Sequence, residues 1–86
     1  MLDKILQAFP ETEAMKADGF DAAIIGVDED GEVLVYSIPK CLRILEEEGM
    51  SDIDALEHFD FNILNAYIGD HTPIFIYDEF EESFYE

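Results

Sequence analysis

The sequence predicts a small two-layer α+β domain of order α-β-β-α-α-β, a three-stranded antiparallel or mixed sheet with helices mainly on one face. Three observations point there. Two β-rich runs flank Asp30-Gly31, apolar side chains recur at helical spacing on both sides of that pair, and a third β-rich run follows Pro73. A chain of 86 residues is too short for two independent cores, so residues 1–77 are expected to form one domain and residues 78–86 an acidic-aromatic C-terminal extension.

Met1 to Ala17 reads as a first helix of limited length. Leu2, Ile5, Leu6 and Phe9 make one stripe, Pro10 halts it, and Glu11 to Ala17 is expected to add a second short turn before Asp18-Gly19. Phe20–Asp28 and Glu32–Ile38 are the hairpin strands, joined through Glu29-Asp30-Gly31, whose Asp-Gly pair accepts the left-handed backbone a tight turn needs. Gly26 within the first strand marks a bulge or a close backbone approach.

Pro39 suits the first residue of the next helix, where a missing N–H costs nothing, and Cys41, Leu42, Ile44 and Leu45 supply its buried face up to Glu48-Gly49. Ser51-Asp52-Ile53-Asp54 matches a capping box for the helix after it. Ile53, Leu56, Phe59, Ile63, Ala66 and Tyr67 form its expected buried stripe, ending at Gly69. Asp60 interrupts that stripe and suits the cap of a second segment after a bend near Phe59-Asp60-Phe61. Ile74–Tyr77 is the third strand.

Charge is the strongest compositional signal. The net charge is −18, yet 49% of residues are apolar and 13% aromatic, which is enough to build a core that a disordered acidic chain lacks. Lys4, Lys16, Lys40 and Arg43 are the only basic residues, and none lies beyond Arg43. Such a surface repels nucleic acid and anionic lipid and attracts basic proteins, so direct nucleic-acid or membrane binding is not expected. A lone cysteine gives no disulfide framework, no apolar run reaches the length of a membrane span, and the N-terminus opens no signal peptide. A cytoplasmic location is expected.

Catalytic and metal chemistry find little support. If Gly31 took the sixth position of a calcium loop, Gly26 and Ser37 would stand where carboxylates are required. His58, His71 and Cys41 lack the close spacing of zinc ligands, and the apolar neighbours of Cys41 describe a buried thiol rather than a nucleophile. No cofactor, metal or catalytic residue is assigned, and the expectation is a non-enzyme.

Two stretches carry a family likeness. Phe61-Asn62, Ala66-Tyr67-Ile68-Gly69-Asp70 and Thr72-Pro73-Ile74-Phe75, together with Phe20 to Leu45, resemble a small tailed-bacteriophage protein family of unknown function over roughly residues 18–77. The resemblance implies a phage setting and thus the host cytoplasm, but no site residues. This chain departs from it by adding Asp78 to Glu86 and by being more acidic.

These readings combine into one expectation: a phage-encoded acidic protein that binds a basic surface of a host protein. The surface would act as a DNA mimic, inhibiting a nucleic-acid-binding defence protein or polymerase in the manner of anti-CRISPR or anti-restriction proteins. Glu46, Glu47, Glu48, Asp52, Asp54 and Glu57 are its expected core, with Glu79, Glu81, Glu82 and Glu86 as a second cluster. The rings of Tyr77, Phe80, Phe84 and Tyr85 fit three roles: packing on the core as a short helix, dimer contacts, or contacts to another protein. The alternative is a phage accessory or assembly protein acting as a homo-oligomer. A small metal-binding protein or enzyme using His58 and His71 ranks third.

Overall fold

A computed structural model describes residues 1–64 and 69–80. Six elements order the chain: α1 (Leu2–Ala8), β1 (Ile24–Val27), β2 (Leu34–Ser37), α2 (Ile38–Glu47), α3 (Asp52–His58) and β3 (Ile74–Ile76). The α+β class and the expected order hold. β2 is central, antiparallel to β1 and parallel to β3, so the sheet is mixed and α2 and α3 form the crossover a parallel pair requires.

The hairpin forms where Asp30-Gly31 predicts it. Gly31 adopts φ +70, and the Asp28 carboxylate accepts from the N–H groups of Glu32 and Val33 at 2.8 and 2.9 Å, closing the turn. Register slips between Ile24 and Gly26, which makes Ile25 the extra residue of a β-bulge. The bulge lets both Ile24 and Val27 pack against the core, while Gly26 sits opposite Val35 on the other face. The strands are shorter than the sequence indicates, because Asp21–Ala23 winds into a 3₁₀ turn before β1.

The helices share one face of the sheet. Ile5 of α1, Ile38, Cys41 and Leu45 of α2 and Ala55 of α3 close over Ile24, Leu34 and Tyr36. Phe59, just beyond α3, meets Phe75 of β3 edge-on at 5.3 Å between ring centres, and Phe75 in turn lies 5.3 Å from Tyr36. These three rings join the crossover to two strands.

Three local expectations are corrected. The segment from Glu11 to Ala17 is not helical; it is a strap laid across the hairpin. Thr12 Oγ1 donates to the Gly31 carbonyl, Met15 N–H donates to the His71 carbonyl at 3.1 Å, and Ala17 N–H donates to the Tyr36 hydroxyl at 2.8 Å. Those long-range partners satisfy backbone groups that a helical turn would have paired locally. Second, Asp60 caps no new helix: α3 runs on into a π turn, Phe59–Ile63, in which Leu64 N–H reaches the Phe59 carbonyl at 2.9 Å.

Third, the buried face of α3 is Ala55 and Phe59 with half-buried Ile63, whereas Ile53 and Leu56 are exposed. Ala66 and Tyr67, also expected in the stripe, lie outside the described residues. Among the described residues no helix is long and apolar enough to cross a membrane.

Candidate acidic interaction surface

The α2–α3 corner is built by two caps and a glycine. Ser37 Oγ accepts from Lys40 N–H at 3.3 Å to start α2, with Pro39 in the first turn where its missing donor is harmless. Gly49, at φ +107, lets the chain leave α2, and Ser51 Oγ accepts from Asp54 N–H at 3.1 Å to start α3. This short reversal brings Glu46, Glu47 and Glu48 next to Asp52, Asp54 and Glu57 in the chain, and all six are exposed. Among the described residues none of the six forms an ion pair with a basic side chain.

Helix electrostatics treats the two halves of this cluster differently. Asp52 and Asp54 occupy the first turn of α3, where the dipole favours carboxylates, and Asp52 Oδ1 also accepts from Ile53 N–H at 2.9 Å. Glu46, Glu47 and Glu48 crowd the last turn and cap of α2, where the dipole disfavours them by roughly 0.3–1 kcal/mol each and no basic residue shares that turn. Local helix stability therefore gives no reason for three glutamates there.

Exposed apolar side chains lie between and after these acids in the chain. Ile53 is 67% and Phe61 81% exposed, with Leu56 also open to solvent. Helical spacing alone put Ile53 and Leu56 in the core. Phe61, two residues beyond buried Phe59, faces outward from the π turn.

Of the second expected cluster only Glu79 is described, and it lies beside Asp78. Asp78 and Glu79 are tied to the domain: Ser37 Oγ donates to Asp78 Oδ1 at 2.6 Å, and Arg43 grips Glu79 through both terminal nitrogens. The hydrogen bond to Glu79, then its charge and those of Asp78 and Glu46, hold the Arg43 guanidinium above its ordinary pKa. Glu79 is thus partly neutralised within the molecule. Tyr77 and Phe80 belong to no helix and are 55% and 59% exposed, so their rings do not pack on the core. Glu81, Glu82, Phe84, Tyr85 and Glu86 lie outside the described residues.

Other candidate chemistry has little geometry behind it. Burial pushes the Cys41 thiol up to about 12, so at neutral pH it is not a nucleophile. His58 Nδ1 pairs with the Asn62 amide at 3.3 Å within the π turn. His71 is a clamp: Nδ1 lies 3.1 Å from the Glu32 carbonyl oxygen and 3.3 Å from its carboxylate, and Nε2 is 3.8 Å from Glu13. Among the described residues no group of three or more His, Cys, Asp or Glu is placed to hold a metal ion. A cleft of ≈ 320 Å³ between Ala8–Thr12 and Asp30–Glu32 is lined by no His, Cys, Lys or Arg.

No family model, curated protein or solved structure matches the chain. Two residues of the stretch behind the bacteriophage resemblance have local structural roles. Gly69, at φ +132, and Thr72, whose hydroxyl donates to the Gly69 carbonyl at 2.7 Å, shape the turn that delivers buried Pro73 to the start of β3. Ala66, Tyr67 and Ile68 of that signature lie outside the described residues.

Proposed function

We propose that the protein is a non-enzymatic binding protein whose α2–α3 corner occupies a basic, nucleic-acid-binding surface of another protein. One observation carries the reading: Ile53 of α3 and Phe61 of the π turn after it are exposed in the same stretch of chain as a run of exposed carboxylates that form no ion pair among the described residues, three of them held against the dipole of α2. Carboxylates spaced along a surface meet Lys and Arg side chains as phosphates do, while exposed apolar and aromatic groups supply the desolvated anchors that charge alone does not. In this proposal the protein is phage-encoded, and its target is a host defence nuclease, CRISPR effector or polymerase in the host cytoplasm.

The test is affinity capture from a bacterial lysate by the full chain and by a triple variant, Glu47→Lys, Asp54→Lys and Glu57→Lys. The expected result is a basic nucleic-acid-binding protein that is released by competing duplex DNA and at about 0.5 M salt, where the screening length is only about 4 Å. The triple variant loses it while keeping its helical circular dichroism. Equal capture by the variant, or recovery of phage structural proteins alone, overturns the reading; the latter favours the assembly role.

A further inference from the structure

The sheet carries a second open surface, on the side away from the helices. In-register pairing sets Gly26, Val35 and Ile74 in one row across the three strands, with Ile76 further along β3 on the same face. A Cβ at Gly26 would meet no atom within 4 Å, and Ile74 and Ile76 are 45% and 38% exposed. Among the described residues no backbone group beyond β2 pairs with Ile74–Ile76, so within them β3 is an open edge with an apolar face.

The two sheet edges are protected unequally. β1 carries the bulge at Ile25 and packs against α1, both of which discourage strand addition. β3 reads Ile-Phe-Ile with no Lys, Pro or bulge. Its flanks carry exposed Asp70 before it and Asp78 and Glu79 after it; Arg43 already pairs with Glu79, so Asp70, Asp78 and the net charge of −18 set the sign of the edge. Pairing two β3 edges antiparallel would bring Asp70 of one copy towards Asp78 of the other, in chains that each carry a net charge of −18. The charge therefore selects against a second copy and for a cationic strand.

We propose that the free edge and outer face of β3 form a docking site for an extended segment of another protein, with apolar side chains towards Val35, Ile74 and Ile76 and Lys or Arg against the flanking carboxylates. Main-chain hydrogen bonds supply the pairing and the alternating side chains supply the selectivity. This site does not depend on the role proposed for the α2–α3 corner.

The experiment is a titration of the full chain, followed by amide NMR at about 0.15 M salt. The ligands are a short synthetic peptide alternating Val and Lys, its Glu-for-Lys counterpart, and a backbone N-methylated Val-Lys version. The Val-Lys peptide is expected to shift the amides of Val35 and Ile74–Ile76 and to slow exchange at β3. The Glu peptide does neither, and N-methylation weakens binding by about tenfold or more. An Ile74→Thr, Ile76→Thr double variant keeps β-branching and the fold, confirmed by its dichroism, and binds more weakly. Equal binding of the N-methylated peptide, or shifts confined to α2 and α3, reduces the effect to bulk charge and overturns the proposal. So does protection of the β3 edge in the free protein: if independent of concentration it assigns the edge to the protein's own chain, and if concentration-dependent to a second copy.

Discussion

Replacing Tyr36 with Phe removes one oxygen atom and should cost a substantial part of the fold's stability. Tyr36 and Ala17 are both 0% exposed, and the Tyr36 hydroxyl accepts from Ala17 N–H at 2.8 Å. Phe keeps the ring that stacks near Phe75 but leaves a buried backbone donor without this acceptor, at a cost of about 1–3 kcal/mol. A domain of this size has only about 4–13 kcal/mol in total, at roughly 0.05–0.15 per residue. Each kcal/mol moves the melting point of a domain this small by about 4–8 °C, so a loss of about 2 kcal/mol lowers Tm by about 8–16 °C. Urea unfolding at fixed salt measures the free energy, and amide exchange locates it: Ala17 should exchange faster while the β1–β2 amides keep their order of protection. A loss below about 0.5 kcal/mol, or unchanged exchange at Ala17, refutes the view that the strap is held by this bond.

Other perturbations test separate parts of the structure. Gly31→Ala places a Cβ 2.1 Å from Cδ1 of Phe9 on a backbone at φ +70, so it should destabilise by more than the roughly 1–2 kcal/mol of left-handed strain alone; unfolding that matches the wild type removes the Phe9–Gly31 contact from the account. Cys41 keeps its proton in the folded state up to about 12, against an ordinary value of 9.0, so the unfolded chain loses that proton first as pH rises. Stability should fall between those values with a slope approaching about 1.4 kcal/mol per pH unit, and Cys41→Ala should flatten it by that amount. Identical slopes in the two proteins would refute it. Raising salt from about 0.05 to about 0.5 M should raise Tm near neutral pH by screening a net charge of −18, and a fall in Tm would contradict self-repulsion as the dominant electrostatic effect.

Local chemistry was readable in the sequence wherever a residue acts on its own neighbours. Ser51 caps α3, Pro39 lies in the first turn of α2, Gly49 breaks the chain after it, and Asp30-Gly31 turns the hairpin. Misreadings arose where a distant partner decides. Nothing in Glu11–Ala17 reveals that Tyr36, Gly31 and His71 will claim its hydrogen bonds. The stripe through Ile53 and Leu56 failed because Ala55, Phe59 and Ile63, at i, i+4 spacing, take the buried face. The acids of the α2–α3 corner were visible as a cluster, but the exposure of Ile53 and Leu56 beside them was not. Extended residues after β3 hold Glu79 against Arg43, a pairing across 36 positions that no local pattern signals.

The strap also sets a timetable. Its anchors lie on the hairpin and on His71, so residues 10–18 are synthesised early yet have nothing to bind until most of the chain has followed. Until then Met15 and Ala17 offer bare N–H groups, and Phe9 has no Gly31 to cover. The N-terminal segment should therefore be among the last to lock during folding, with φ-values near zero at Thr12 and Ala17, and among the first to open when the native state breathes.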